Sequence, residues 1–423
     1  MRSVGRWVVM TMIVAGLTGC GPSVPSSTLA AASAGPTPGV ASPSPAASTT
    51  ASQSAVAGRP SIPVGTACGS SVPLGPMATT PAPGGPVSRP GWSQAGVSGP
   101  VSKVAWSPDG TLLASTPGDP NGTNDIASLW TAGGRLVATL RGHTGVVHCA
   151  AWSPDSQFLA TASADGSVRL WDRTGRFFRS LPGPEPVFSL AWSPDGSVLA
   201  VGAIAFAGQL QGVITLWRQT GTLVRTLGTS FTGGKFLNLA WSPDGRLLAA
   251  GASDYIDWRA DGSQVAILRQ GGTPAWAMAW SADGTALALG DENGTLAIVD
   301  TEGRSLGSAQ FQSDVNVLSY VPDGSGLIVG LNGQIQFVHP LDPQNPAHPI
   351  WSADTADDGH VAWLPDGHRL AIAVTDGLAV LSSDGSAVAS LTGCPGDPVA
   401  FAWTGGRLAA ATSDGELCAW PAP

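Results

Sequence analysis

The sequence of 423 residues predicts an all-β protein, and within that class a β-propeller of four-stranded antiparallel blades. The first observation is the string AWSPDG or a close variant of it, which recurs eight times between residues 105 and 406. The second is the period near 40 residues, which gives each unit room for four short strands. The third is that the chain after its first twenty residues shows no sustained helical periodicity. Eight units predict eight blades, and a seven-bladed ring with one irregular unit is the alternative.

The first strand of each unit is predicted to end at the aromatic residue of the repeated string. These residues are Trp106, Trp152, Trp192, Trp241, Trp280, Tyr320, Trp363 and Trp403. The Ser-Pro-Asp-Gly that follows is typical of a tight turn, because Pro presets φ, Asp suits the next position and Gly adopts the left-handed conformation. Repeated carboxylates such as Asp109 are therefore predicted to be hairpin residues rather than catalytic groups.

The second unit shows how four strands fit into one period. Its apolar or alternating runs are Val146–Trp152, Phe158–Ala162, Ser167–Trp171 and Phe177–Leu181, each bounded by turn residues. The eighth unit stops after its third strand, at Trp420. Because an open blade edge would stay exposed, we expect a strand from between Ile62 and Gln94 to complete that blade and close the ring.

The second unit also resembles a WD repeat, with Gly-His before its first strand and Leu-Trp-Asp at the end of its third. The resemblance covers about residues 100–421, with one well-matched copy at 141–172 and seven degenerate ones. It implies a propeller in which a His, a Ser or Thr, an Asp and a Trp form a buried hydrogen-bonded chain. Carried over to this sequence, the chain is His143, Ser163, Asp165 and Trp171. The interpretation is structural rather than catalytic, because each buried polar group finds a partner.

The N-terminal residues predict export. Two arginines, an apolar run and the ending Leu-Thr-Gly-Cys make residues 1–19 a secretory signal that resembles the bacterial lipobox, with Cys20 as the lipid attachment site. Residues 20–60 are rich in Pro, Ser, Ala and Thr and predict a disordered tether. Residues 61–99 form a transition segment, and the propeller spans 100–423. The expected location is the outer face of the cell membrane or, in a bacterium with two membranes, the outer membrane.

Four cysteines follow Cys20, and an exported protein would tend to oxidise them. They are Cys68, Cys149, Cys394 and Cys418. The sequence allows three pairings of these four, or free thiols. We predict a bridge between Cys68 and Cys394, because both lie in loops rich in Pro and Gly, whereas the other two lie within strand patterns.

Motifs that would indicate chemistry are absent from the sequence. It has no Gly-x-Ser-x-Gly elbow, no phosphate-binding glycine loop and no pair of histidines at metal-ligand spacing, so we expect no cofactor and no metal. A formal charge of −9 with only 12% charged residues argues against nucleic acid as a partner. Trp276 and Trp351 lie outside the repeat register, in or beside loops, and could be surface anchors of a binding site or local packing residues.

The sequence therefore predicts a monomeric, non-catalytic interaction scaffold that binds an unknown protein or peptide. Two alternatives stay open. One is a propeller that binds or hydrolyses a small molecule or glycan at the channel mouth. The other is a component of cell-envelope assembly that resembles the Tol-system propeller, whose repeats also contain WSPDG.

Overall fold

The computed structural model describes the propeller and the two short strands that precede it. The described residues are 87–95, 101–117, 125–183, 186–206, 210–228, 238–251, 255–259, 264–269, 275–339, 351–355, 361–364, 367–374, 377–404 and 406–421. The chain divides into two units, 1–58 and 59–423, and all described residues belong to the second. No helix within these ranges is long and apolar enough to cross a membrane.

The described strands form eight sheets, each with at least four strands. The described part of the chain begins with two short strands, β1 (Val87–Ser88) and β2 (Trp92–Ala95). Blade 1 contains β3 (Val101–Trp106), β4 (Leu112–Pro117), β5 (Ala127–Thr131) and β6 (Leu136–Leu140). Blade 2 contains β7 (Val147–Trp152), β8 (Phe158–Ser163), β9 (Ser167–Asp172) and β10 (Phe177–Pro182). Blade 3 contains β11 (Val187–Trp192), β12 (Leu199–Phe206), β13 (Leu210–Trp217) and β14 (Leu223–Gly228). Blade 4 contains β15 (Asn238–Trp241), β16 (Leu247–Gly251), β17 (Tyr255–Arg259) and β18 (Gln264–Arg269).

The second half continues the same order. Blade 5 contains β19 (Ala275–Trp280), β20 (Ala286–Asp291), β21 (Thr295–Asp300) and β22 (Ser305–Gln310). Blade 6 contains β23 (Val317–Tyr320), β24 (Leu327–Leu331), β25 (Gln334–Val338) and β26 (Trp351–Asp354). Blade 7 contains β27 (Val361–Trp363), β28 (Arg369–Val374), β29 (Gly377–Ser382) and β30 (Ala387–Thr392). Blade 8 contains β31 (Pro398–Thr404), β32 (Arg407–Thr412) and β33 (Glu416–Pro421).

An N-terminal strand completes the ring, as the sequence predicts. Strand β2 pairs antiparallel with β33, with Trp92 opposite Ala419, and so becomes the outer strand of blade 8. The strand lies at the end of the interval from which a donor was expected. Strand β1, which the sequence did not reveal, pairs parallel with β30 as a fifth strand of blade 7. The N-terminal residues therefore fasten both of the last two blades before the chain enters blade 1.

The first strands of neighbouring blades lie side by side around the central channel. Their repeated tryptophans cross the gaps between blades, because each indole donates to the carbonyl of the alanine that precedes the aromatic residue of the previous blade. Five such bonds of 3.0–3.2 Å are present: Trp106 to Ala402, Trp152 to Ala105, Trp192 to Ala151, Trp241 to Ala191 and Trp280 to Ala240. The apolar clusters also lie between neighbouring blades, so the core is divided among the junctions of the ring.

The connections between strands alternate between two faces because neighbouring strands within a blade run antiparallel. We call the face with the Ser-Pro-Asp-Gly turns the hairpin face. There the side chain of Ser107 donates to Asp109 over 2.6 Å and accepts from the backbone N–H of Leu112, which closes the turn as predicted. The opposite face carries the turns between second and third strands and the connections between blades. We call it the His143 face.

Candidate functional site

The most polar cluster of the His143 face lies in blade 2. The imidazole of His143 is 2.9 Å from Asp165 Oδ2 through Nδ1 and 2.9 Å from Thr161 Oγ1 through Nε2. The indole of Trp171 donates to the same Thr161 hydroxyl over 2.9 Å. With a neutral imidazole whose Nδ1–H donates to Asp165, every group in the chain from the Trp to the Asp has a partner.

The hydroxyl group in this hydrogen-bonded series belongs to Thr161, and not to Ser163 as predicted from the sequence. Trp171 is paired with Leu159, so Ser163 lies four residues further along the strand, about 13 Å at the usual rise per residue. Ser163 instead donates to the carbonyl of Gly145 over 2.8 Å and accepts from the N–H of Asp165. It organises the turn, while Thr161 is close enough to link His143 with the indole.

The electrostatics of the cluster favour a fixed arrangement rather than proton transfer. Burial lowers the pKa of His143, which keeps the imidazole neutral. Burial also opposes ionisation of Asp165, but hydrogen bonds from Ser167, Thr144 and His143 outweigh it and hold the pKa of that carboxyl far below its usual value. Because His143 is buried and all its ring nitrogens are engaged, the cluster stabilises blade 2 and its turns.

The inner wall of the channel offers a second group of residues. In blades 1, 2, 3, 5 and 8 the first strand carries a bulge at its second residue, near the His143 face. A bulge redirects a side chain, and such irregularities often lie beside binding sites. The bulged residues include Ser102, His148 and Phe188, and the rings of the last two stack with centroids 5.0 Å apart. Next to Ser102 lies Lys103, and burial lowers its pKa to about 8.

The outer rim of blades 1 to 3 carries an apolar surface. We call it the rim patch and define it as Leu136, Phe177, Phe178, Leu223 and Val224, each 38–48% exposed. These five are most of the six large apolar side chains that are exposed among the described residues, and Leu306 of blade 5 is the sixth. All lie at the first or second position of a fourth strand. No sequence motif signalled them, because fourth strands of other blades also begin with apolar residues, such as Leu306 and Val388.

The cysteine pairing predicted from the sequence is wrong. Cys394 bonds to Cys418, with their Cα atoms 6.0 Å apart, and not to Cys68. The sequence argument separated loop cysteines from strand cysteines, but the loop after β30 runs beside β33 of the next blade. Cys149 is disulfide-bonded as well. Cys68 and the predicted lipid site Cys20 lie outside the described residues.

The two candidate anchor residues lie in strands rather than loops. Trp276 belongs to β19, where it is the bulged residue, and Trp351 belongs to β26 opposite Phe337. Their side chains are outside the described part of the structure. Within the described ranges, no three His, Cys, Asp or Glu residues are grouped so that they could hold a metal ion.

The family described as IFT122 first beta-propeller matches residues 100–342, which is more than half of the chain. The chain belongs to this family of WD40-type β-propellers. The solved structures agree in fold. Sqt1 from Chaetomium thermophilum, bound to the N-terminus of the ribosomal protein L10, superposes with a TM-score of 0.64 at 20% identity, over 77% of this chain and 97% of that one. The C-terminal WD40 domain of Sif2 gives 0.62 at 19% identity, over 78% and 98%.

Curated relatives match a shorter stretch of the WD40-type propeller. The eukaryotic translation initiation factor 3 subunit I of Aspergillus terreus is 37% identical over 92 residues, which is 22% of this chain and 26% of that protein. The same subunit of Scheffersomyces stipitis is 33% identical over 108 residues, 25% of this chain and 28% of that protein. The chain therefore spans about a quarter of the length of the curated relatives it matches.

These relatives contradict the location predicted from the N-terminal residues. They are eukaryotic proteins, named as subunits of a translation initiation factor and as a protein bound to a ribosomal protein, which points away from an exported, lipid-anchored protein. That expectation rested on residues 1–20, which lie outside both the family match and the described residues. It was wrong because a local motif was given more weight than the family of the folded part.

Proposed function

We propose that this WD40-type propeller is a non-catalytic scaffold that binds a partner protein on the rim patch of blades 1 to 3. The observation that carries the proposal is the concentration of exposed apolar side chains on three neighbouring outer strands. A monomer rarely exposes such a surface without a use for it. Scattered single residues, such as Leu306 on blade 5, need no explanation.

The patch is continuous because each turn between a third and a fourth strand abuts the outer strand of the blade before it. A side chain at Gly175 would collide with Ala138 of β6, and one at Gly221 would come within 2.5 Å of Arg179 on β10. The turn of blade 2 thus packs against blade 1, and the turn of blade 3 packs against blade 2. Leu136, the two phenylalanines and Leu223 consequently lie along one stretch of rim.

The charge of this stretch indicates the kind of partner. Exposed arginines flank the apolar residues on every one of the three strands: Arg135, Arg176, Arg179 and Arg225. The outer strands themselves contain no Asp or Glu. Two guanidinium groups lie over the aromatic rings, that of Arg169 at 5.3 Å from Phe177 and that of Arg179 at 5.7 Å from Phe178. Aromatic and arginine side chains are enriched in protein interfaces, so we infer an apolar segment flanked by carboxylates as the occupant.

The relatives support a protein as the partner. Sqt1, whose fold is similar, has been crystallised with the N-terminus of the ribosomal protein L10, so a short segment of another protein is a ligand that such a ring accommodates. The subunit I of the translation initiation factor is part of a protein assembly by its name. Neither relative identifies the partner of this chain.

A photo-crosslinking experiment in the source cells tests the proposal. A photoreactive residue replaces Phe178 in one version of the full chain and Leu306 in another, because both occupy the second position of a fourth strand. We expect a reproducible cross-link from position 178 and not from 306, within a peptide that contains apolar residues and Asp or Glu. Cross-links only to a second copy of this chain, or equal cross-links from both positions, would overturn the proposal.

Reconstitution with the cross-linked segment then measures the energetic role of the patch. Phe178→Asp should weaken binding at least about 30-fold, because a central aromatic residue contributes roughly 2 kcal/mol or more and the new charge repels the carboxylates. Leu306→Asp is the matched control and should leave the dissociation constant within about twofold. Equal losses in the two variants would mean that the partner does not sit on the rim patch.

A further inference from the structure

The inner strand of blade 1 differs from its neighbours at one position. Three residues before the repeated Trp, the first strands of blades 2, 3 and 4 carry Cys149, Ser189 and Asn238, all buried and uncharged. In blade 1 the same position is Lys103. It pairs with Thr116 in the register that pairs Ala105 with Ala114, so its side chain lies on the sheet surface that faces blade 2. A long cationic side chain therefore stands where blades 2 to 4 have small uncharged groups.

Among the described residues, the ammonium group of Lys103 has no acidic partner. No Asp or Glu of the described residues forms an ion pair with it. The described first strands of blades 1 to 3 contain no carboxylate at all. Partial burial of a cation without a counter-charge is unfavourable, and such groups mark candidate sites where a ligand supplies the missing charge.

Polar and aromatic groups surround the same place. His148 is the bulged residue of the neighbouring first strand, whose Trp152 donates to the carbonyl of Ala105 on the strand that carries Lys103. Burial and, to a lesser extent, the charge of Lys103 lower the pKa of His148. Phe188 of blade 3 stacks on the imidazole of His148 at an interplanar angle of 29°. On the other side of Lys103, the Ser102 hydroxyl donates to the carbonyl of Pro117 over 2.8 Å. Two nitrogen groups and an aromatic ring are thus brought together at the inner edge of blades 1 to 3.

We propose that Lys103 and His148 form a binding site for a carboxylate at the inner edge of the junction between blades 1 and 2, with Phe188 packing against the apolar part of the ligand. The ammonium contributes the charge and the imidazole contributes a hydrogen-bond donor, which suits the two oxygens of one carboxylate. The carboxylate belongs either to a small aromatic or aliphatic acid or to the C-terminus of a peptide. The site is independent of the rim patch, which lies on the outer strands.

Binding of defined probes to the full chain tests this site. The probes are benzoate against benzamide, and N-acetyl-Gly-Phe with a free carboxylate against its amide, measured by calorimetry and by the NMR signals of the His148 ring. Each acid should bind at least tenfold more tightly than its neutral counterpart and shift those signals. Tighter binding of the peptide acid than of benzoate identifies a peptide C-terminus as the natural ligand class, and the reverse identifies a small acid. Equal binding of acid and amide, or no binding of either acid at millimolar concentration, would overturn the proposal.

Variants separate the site from general stability. Lys103→Met should weaken binding of the acids at least tenfold while the thermal unfolding midpoint stays or rises, because a partly buried charge that has no ion pair among the described residues is removed. Lys103→Arg keeps the charge and should restore most of the affinity. Arg246→Met, on an exposed arginine of the hairpin face, is the control and should leave binding unchanged. Full affinity of Lys103→Met would show that the site does not exist.

Discussion

The junctions between blades fall into two groups. From blade 8 to blade 1 and onward to blade 5, each junction has an indole hydrogen bond of 3.0–3.2 Å between first strands. At the next three junctions the equivalent groups are Tyr320 Oη, Trp363 Nε1 and Trp403 Nε1, and each is buried without a hydrogen-bond partner among the described residues. In the same three units Val321, Leu364 and Thr404 replace the serine that closes the hairpin. The loss of the turn residue and the loss of the indole bond occur together.

The second group of junctions uses other means of attachment. Blades 6 and 7 share a cluster of larger aliphatic and aromatic residues, including Ile328, Phe337 and Ile372. Blades 7 and 8 are joined by the bridge between Cys394 and Cys418 and by the indole of Trp420, which donates to the carbonyl of Thr392 over 3.3 Å. A ring whose repeats have diverged thus stays closed because packing and a covalent bond replace a repeated hydrogen bond. The following variants test that interpretation.

Removal of the disulfide should have the largest effect. Replacing both Cys394 and Cys418 with Ala is expected to lower the free energy of unfolding by about 3 kcal/mol, since the bridge closes a loop of 24 residues at a junction where the indole of Trp403 makes no hydrogen bond between first strands. Chemical denaturation of the double variant, without a reducing agent, measures this loss while the disulfide bond of Cys149 stays intact. A loss below about 1 kcal/mol would mean that the blade 7 to blade 8 junction does not depend on the bridge.

Two adjacent tryptophans allow the two kinds of junction to be compared directly. Trp106→Phe removes an indole that donates to Ala402, and we expect a loss of about 2 kcal/mol because the carbonyl is left without its partner. Trp403→Phe removes an indole whose N–H has no partner among the described residues, so the expected loss is about 1 kcal/mol. Equal losses, measured by the same denaturation, would indicate that the volume of the aromatic side chain, rather than the hydrogen bond, determines the contribution of each tryptophan to stability.

We expect Lys103, at the junction of blades 1 and 2, to make the free energy of unfolding depend on pH. Its pKa is lowered to about 8 in the folded protein by burial, while the unfolded chain keeps the ordinary value of 10.5. Between these values the unfolded state binds more protons, so stability should rise as pH increases from 8 to 10.5. Because Lys103 is partly exposed, we expect a rise on the order of 1 kcal/mol, less than the full linkage value. The rise should disappear in Lys103→Met, and its persistence there would assign it to another group.

The smallest effect concerns the one hairpin that ends in Ser156 instead of Gly. Ser156 has a φ of 60°, and its hydroxyl accepts from the N–H of Asp109 in blade 1 over 3.0 Å. In Ser156→Gly the relief of the left-handed conformation and the loss of this bond should nearly cancel, leaving stability within about 0.5 kcal/mol. Ser156→Ala keeps the unfavourable φ and loses the bond, so it should be about 1 kcal/mol less stable than the wild type. Thermal unfolding of the two variants side by side checks this order.

Much of the fold could be predicted because it is encoded locally and repeatedly. The Ser-Pro-Asp-Gly turns determine the hairpins through the φ preferences of their residues and through the hydrogen bond from the Ser hydroxyl to the Asp carboxylate, as between Ser107 and Asp109. The eighth unit has only three strands in sequence, which required a closing strand from elsewhere in the chain. The pairing of β1 with β30 was not predictable, since a strand of two residues carries no pattern. The family match extends the same conclusion to the WD40-type architecture.

The sites were less predictable because they depend on distances between blades. The position of Ser163 matched the family pattern, yet the register of β8 and β9 places Thr161 next to the Trp171 indole. Cys394 and Cys418 are neighbours across a junction that linear sequence does not show. Lys103 could have been noticed by aligning the residues that stand three positions before the repeated Trp, where it is the one charged residue in blades 1 to 4.

The closing strand has a consequence for how the protein is made. Strand β2 (Trp92–Ala95) is synthesised before every other strand of blades 1 to 8 except β1. Its partner β33 (Glu416–Pro421) follows more than 300 residues later. At usual elongation rates that interval lasts tens of seconds. During this time blades 1 to 7 must fold beside an unfinished edge, and β2 must stay available rather than pair elsewhere. Ring closure is therefore a late event that requires the last strand, and a chain that stops before it would expose both ends of the ring to aggregation.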